Sequence, residues 1–182
     1  MPGPKYFVSK QSLTQIIQIF DSWAGELSPT DFVRFSLPYL LQIPSRVHKA
    51  LAQRGYYPSN PQVPTIVFAK GAWYALEHLA KSEYDVISLD WTHDPEQARK
   101  RAGGKVLQGN MDPNGLYGPK EHITSEVERI VHGFGGGKER YIVNLGHGIT
   151  PVRILCGRCL FQGVDPDNLR WFLQESHRIS AM

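Results

Sequence analysis

Short apolar runs rich in β-branched residues alternate with longer stretches of helical spacing along this chain, and that alternation limits the fold more than any other feature. The runs stand at residues 16–20, 63–69, 85–89, 105–108 and 141–145. They are too short for helices and are bounded by glycine, proline or acidic turns, as strands are. Between them, Ser28-Pro29 and Asp94-Pro95 each set a capping side chain before a proline, which opens a helix. The first helical region is expected to run through about Arg54, bent or split at Pro38 and Pro44. Trp73, Leu76 and Ala80 give helical spacing over 72–81, and Ile123, Val127, Ile130 and Val131 give an inward stripe over 120–134. Residues 168–179 read as an amphipathic terminal helix. Strand, turn and helix in regular succession predict parallel strands joined by helical crossovers.

Each run ends in a polar tip: Ser22, Lys70, Asp90, Asn110 with Asp112, and His147. In a (β/α) barrel those ends make one rim, and ligands bind there. In Gly146-His147-Gly148, two glycines flank one imidazole and leave the backbone open to close approach by a ligand. The same three residues also read as a strand-ending turn with a solvated histidine. Asp90 and Asp112 have the look of an acid pair. Strand-tip aspartates more often cap the next helix, and Pro95 and Pro113 follow them, so neither is assigned to the chemistry. Lys70 suits a carboxylate partner and equally a solvated rim charge. A complete eight-unit barrel takes about 250 residues, whereas 182 residues are spent here on five units. The expected fold is α/β: a partial (β/α)8 TIM-type barrel with about five of eight strand–helix units over 15–182, after a loose lead-in at 1–14.

Other classes of protein fit poorly. A formal charge of +3 with no dense basic run argues against a nucleic-acid partner. No apolar run approaches the roughly 20 residues of a membrane span. Met-Pro-Gly-Pro-Lys lacks the order of a secretion signal, so a cytoplasmic location is expected. Cys156 and Cys159 are the two cysteines, too few for a disulfide framework. Their Cys-x-x-Cys spacing suits redox or zinc chemistry, but two thiols make half of a structural zinc site and open no helix, so no metal is expected.

Four segments together resemble the uroporphyrinogen decarboxylase family: Phe20-Asp21-Ser22-Trp23-Ala24-Gly25, Ser88-Leu89-Asp90-Trp91, Leu107-Gln108-Gly109-Asn110-Met111-Asp112-Pro113, and Asn144-Leu145-Gly146-His147-Gly148-Ile149. Their order and spacing match from about Ile16 to Ile179. The resemblance implies a (β/α)8 barrel, a homodimer, and catalysis without metal or organic cofactor. It implies removal of carboxyl groups from the acetate side chains of uroporphyrinogen to give coproporphyrinogen and carbon dioxide. By the same resemblance Ser22 and His147 are substrate-contacting, and both suit a ligand bearing several carboxylates.

Two departures qualify the match. The family's N-terminal arginines, its aspartate that grips the pyrrole N–H groups, and a substrate-binding tyrosine match no segment here. The catalytic residues therefore stay unassigned, and this chain is expected to have little or no activity. Residues 152–162 add eleven residues between Pro151 and Gly163, including both cysteines, where the family runs almost directly onward. They read as an insertion, translated from a retained intron: valine codons begin with GT, glutamine can be CAG, and eleven codons keep the frame. Two further functional readings stand beside the decarboxylase. One is a non-catalytic barrel piece that binds a partner or a tetrapyrrole; the other, ranked lower, is a methyltransferase relative on the same barrel.

Overall fold

The computed structural model describes residues 15–54, 63–137, 140–149 and 163–182. Five strands, β1 (Ile17–Asp21), β2 (Thr65–Ala69), β3 (Val86–Ser88), β4 (Val106–Met111) and β5 (Tyr141–Leu145), form one sheet in sequence order. Every pairing is parallel. The chain returns between strands through helices, as parallel pairing requires. This is the partial barrel expected from the alternation.

Local sequence sets the helices. Ser28 Oγ accepts from the Asp31 amide at 3.1 Å and opens α1 (Pro29–Asp31). A π turn (Phe32–Ser36) and α2 (Leu37–Leu40) follow, then α3 (Ile43–Gln53). Pro38 and Pro44 stand within the first two positions of α2 and α3, so each proline divides the region as its missing N–H dictates. After β2 come a 3-10 turn (Trp73–Ala75) and α4 (Leu76–Ala80). Asp94 caps α5 (Pro95–Arg101) through the Gln97 amide at 3.0 Å. A 3-10 turn (Pro113–Tyr117) leads into α6 (Lys120–Gly133), and Asp165 caps α7 (Pro166–Ser180).

Strand register sorts the two faces of the sheet. Ile19, Val67, Ile87, Leu107 and Tyr141 form one continuous row of partners. That row packs under Leu76, Leu79, Ile123, Val127, Ile130 and Phe134 and makes the core. Phe134 stacks on Tyr141 with ring centroids 4.6 Å apart. The alternate row, Phe20, Phe68, Ser88, Gln108 and Ile142, faces the other way. Among the described residues no helix covers its outer members: Phe20 is 65% and Ile142 38% exposed. One face therefore stabilises the sheet, and the other is left for a ligand or for further strands.

Three expectations are corrected. β4 continues through Gly109 and Asn110 to Met111, beyond the run at 105–108. The helix expected over 72–81 is α-helical only from Leu76 to Ala80; Trp73 lies in the preceding 3-10 turn and is 54% exposed. The last helix opens at Pro166, ahead of residue 168. Ile123, Val127, Ile130 and Val131 are all buried, as their spacing predicts. Among the described residues no helix is long and apolar enough to cross a membrane. The lead-in at 1–14 and the insertion at 152–162, with Cys156 and Cys159, lie outside the described residues.

Candidate functional site

Parallel strands in sequence order bring all five carboxyl ends to one rim. At its open face lies a cavity of about 520 Å³, lined chiefly by Gln18, Phe20, Phe68, Ser88, Asn144 and His147. Gln18 and Phe20 are alternate residues of β1, so both project to the open face. Gln108 binds this lining together from beneath: its Nε2 donates to Ser88 Oγ at 3.3 Å and to Gln18 Oε1 at 3.5 Å. The walls offer two aromatic rings for a flat apolar ligand. Amides, a hydroxyl and an imidazole offer hydrogen bonds to its polar substituents.

His147 is half-buried at the end of β5. Its ring lies 6.2 Å from Phe68 and meets Trp91 edge-on at 6.4 Å, and Nδ1 is 3.1 Å from Gly148 O. The two flanking glycines differ. A Cβ on Gly146 would fall 2.7 Å from Trp91 N and 3.0 Å from Asp90 Cα, so this glycine lets β5 close on the β3 turn. Gly148 has open space where a Cβ would point. The expected freedom for a ligand is therefore confined to Gly148; Gly146 serves packing of the chain on itself.

Asp90 is 2% exposed and spans neighbouring strand tips. Its carboxylate accepts from the Gly71 amide after β2, and from Thr92 N at 2.9 Å and Thr92 Oγ1 at 2.5 Å. His93 Nδ1 lies 3.5 Å away. Burial would push the carboxyl up, but His93, Thr92 and Gly71 together outweigh it and hold it at about 2. Asp90 is thus an anion at neutral pH that ties turns together. Asp112 caps the following 3-10 turn through the Asn114 amide at 2.9 Å. Asp112 thus caps as its position predicts, whereas Asp90 caps no helix, that place before α5 being taken by Asp94.

Among the residues predicted for the site, His147 lines the cavity. Ser22 is exposed in the turn after β1 and lies outside the cavity lining. Lys70 is half-buried; its carbonyl accepts from Gly25 N at 2.7 Å and its amide donates to Asp21 O at 3.0 Å. Gln18, Ser88 and Asn144 escaped sequence reasoning, although alternation along each strand marks them as the polar members of an otherwise apolar run. Asp21 was also passed over; it accepts from Ser36 Oγ at 2.6 Å and anchors the π turn to β1. Among the described residues no group of three or more His, Cys, Asp or Glu side chains gathers as a metal site would need.

Comparison with known proteins bears on the fold and the family. A structure of a methyltransferase from Methanosarcina mazei superposes with a TM-score of 0.66 at 18% identity, covering 90% of this chain and 42% of that one, which shows the fold alone. Curated uroporphyrinogen decarboxylases are far more similar in sequence. The one from Schizosaccharomyces pombe is 48% identical over 169 residues, covering 92% of this chain and 43% of the relative. That from Danio rerio is 46% identical over 167 residues, 91% of this chain and 41% of the relative. The chain thus spans about two fifths of the length of these relatives. The family model described as "Uroporphyrinogen decarboxylase (URO-D)" matches residues 7–178, so this chain belongs to the uroporphyrinogen decarboxylase family.

Proposed function

We propose that this chain forms one wall of a uroporphyrinogen-binding site, with His147 and Ser22 contacting substrate carboxylates. The observation that carries the reading is the cavity at the strand ends, with His147, Ser88, Gln18 and Asn144 around aromatic walls, in a chain of this family. Phe20 and Phe68 suit the face of a macrocycle, and the polar groups suit its acetate and propionate oxygens. Ser22 stands exposed outside the lining, and its part in this reading rests on the family motif.

Turnover asks for more than the described residues assemble. Protonating a pyrrole carbon creates a cation, which a buried carboxylate would stabilise in the transition state. Asp90 is buried but already engaged by Gly71, Thr92 and His93. Holding several carboxylates at once calls for arginines with bidentate geometry, and the cavity has none in its lining. Binding of uroporphyrinogen with little or no decarboxylation is therefore the function assigned to the 182-residue chain. The same site in a protein with the full set of groups removes acetate carboxyls to give coproporphyrinogen and carbon dioxide, as a homodimer in the cytoplasm.

Titrating the purified chain with uroporphyrinogen under reducing, dark conditions, while collecting carbon dioxide, tests both halves. Saturable binding with release at least about 10²–10³-fold slower than a relative of full length is expected. Absence of binding would remove the reading altogether. Release at the rate of the relative would remove the assignment of weak turnover.

A further inference from the structure

Asn110 is fully buried and stands outside the cavity lining. Its Nδ2 donates to Asp90 O at 2.9 Å and to His93 O at 2.8 Å, while Oδ1 is buried without a partner. An unmet buried acceptor costs about 1–3 kcal/mol. An apolar side chain of the same shape would avoid that cost, so what the amide contributes is the placement of the turn after β3.

Asp90 holds the same turn from its other side. It accepts from Gly71 after β2 and from both donors of Thr92. The turn is therefore fastened to β2 through Asp90 and to β4 through Asn110. The end of β5 rests directly on it. Gly146 N donates to Met111 O at 2.7 Å, and the Gly146 backbone lies against Asp90 Cα and Trp91 N so closely that no Cβ fits. The Trp91 ring then meets the His147 ring edge-on. An unbroken line of contacts runs from the buried pair to the imidazole at the cavity wall.

We propose that Asp90 and Asn110 are positioning residues for His147, locking the β3 turn that supports the Gly146-His147 backbone and the Trp91 ring. The consequence for substrate rests on the uroporphyrinogen reading above; the placement of the imidazole does not. A preset imidazole meets a carboxylate without first being ordered, which is how supporting groups raise affinity.

Histidine-labelled samples of the whole 182-residue chain, compared by NMR, test the proposal. The variants are Asn110→Ala, Thr92→Val, which removes one donor to Asp90, and Thr92→Ser, which keeps it. Loss of signals in His147→Asn assigns the His147 ring. Asn110→Ala and Thr92→Val should both shift the His147 ring resonances and leave those of His78 and His122, exposed on α4 and α6, in place. Thr92→Ser should restore the parent position. Unmoved His147 resonances in folded Asn110→Ala and Thr92→Val would overturn the proposal, as would equal shifts at His78 and His122. Should Asn110→Ala not fold, the two Thr92 variants decide alone. Uroporphyrinogen titrated into the same samples separates the two readings. A shifted His147 in a parent chain that does not bind it leaves the positioning standing and removes the ligand.

Discussion

His147 presents its imidazole to the cavity, while His78 and His122 stand exposed on α4 and α6, on the helical side of the sheet. Replacing each by alanine should therefore separate them. A hydrogen bond to a charged group is worth about 1.5–3 kcal/mol, so His147→Ala should weaken uroporphyrinogen binding roughly tenfold to a hundredfold. His78→Ala and His122→Ala should bind like the parent; three equal losses would mean that the cavity is not the binding site. Asp90 gives a prediction in pH. Burial opposes its charge, yet its hydrogen bonds lower the folded-state pKa from 3.8 to about 2. A lowered carboxyl pKa adds stability above the unfolded value, and that stability is lost as pH falls through the folded one. The loss should fall between about pH 4 and pH 2 and amount to about 2 kcal/mol. Urea melts of the parent and of Asp90→Asn across that window check it. The variant should be less stable near neutrality and lack this part of the acid slope; parallel slopes would refute the assignment.

The element that decides the site is the turn joining β5 to the rim. Gly146→Ala would force a Cβ into the Asp90–Trp91 backbone, which cannot swing aside as a side-chain end can. Overpacking of that kind costs about 1–3 kcal/mol. Gly148→Ala meets nothing within 4 Å and should stay within about 0.5 kcal/mol of the parent. Thermal melting of the two variants compares them directly, and equal stabilities would mean that the close approach is absent. The strands were legible because each is an apolar run ended by a turn, and α1, α5 and α6 because caps and inward stripes mark them. What sequence could not convey was phase and partnership. Trp73 shares helical spacing with Leu76, yet a 3-10 turn carries it to the surface. Ser22 has the motif of the family but not a place in the lining, whereas Gln18, Ser88 and Asn144 reach the cavity from three different rows of the sheet, level with Ile66, Phe68 and Asn110, which the order of the strands alone does not give. For residues 152–162 the reading as a translated intron makes its own prediction. The mature transcript should lack these codons, and a chain joining Pro151 to Gly163 should melt at or above the parent. A transcript that keeps them, with a less stable deletion variant, would defeat it.

Taken whole, the described sheet has β1 and β5 as its outer strands, each paired on one side only. Phe20 on β1 and Ile142 on β5 are exposed, as are Phe35 and Tyr39 in the helical region that follows β1. Unpaired strand edges and contiguous apolar surface promote association. Sedimentation of the purified chain should show concentration-dependent self-association, relieved when the N-terminal strand–helix units of a relative are supplied in trans. A sharply melting monomer that ignores the added units would count against open edges. The strand order has a bearing on how the molecule is made. Each strand lies beside the one preceding it in the chain, so no pairing waits for a distant segment. Each pairing still has to close a helical crossover, a cost that rises only slowly with the length of the connection. During synthesis, every strand–helix unit that leaves the ribosome finds a finished edge to join. The sheet can thus grow in the direction of translation, and β5, which brings the imidazole, is the last of the five described strands to be added.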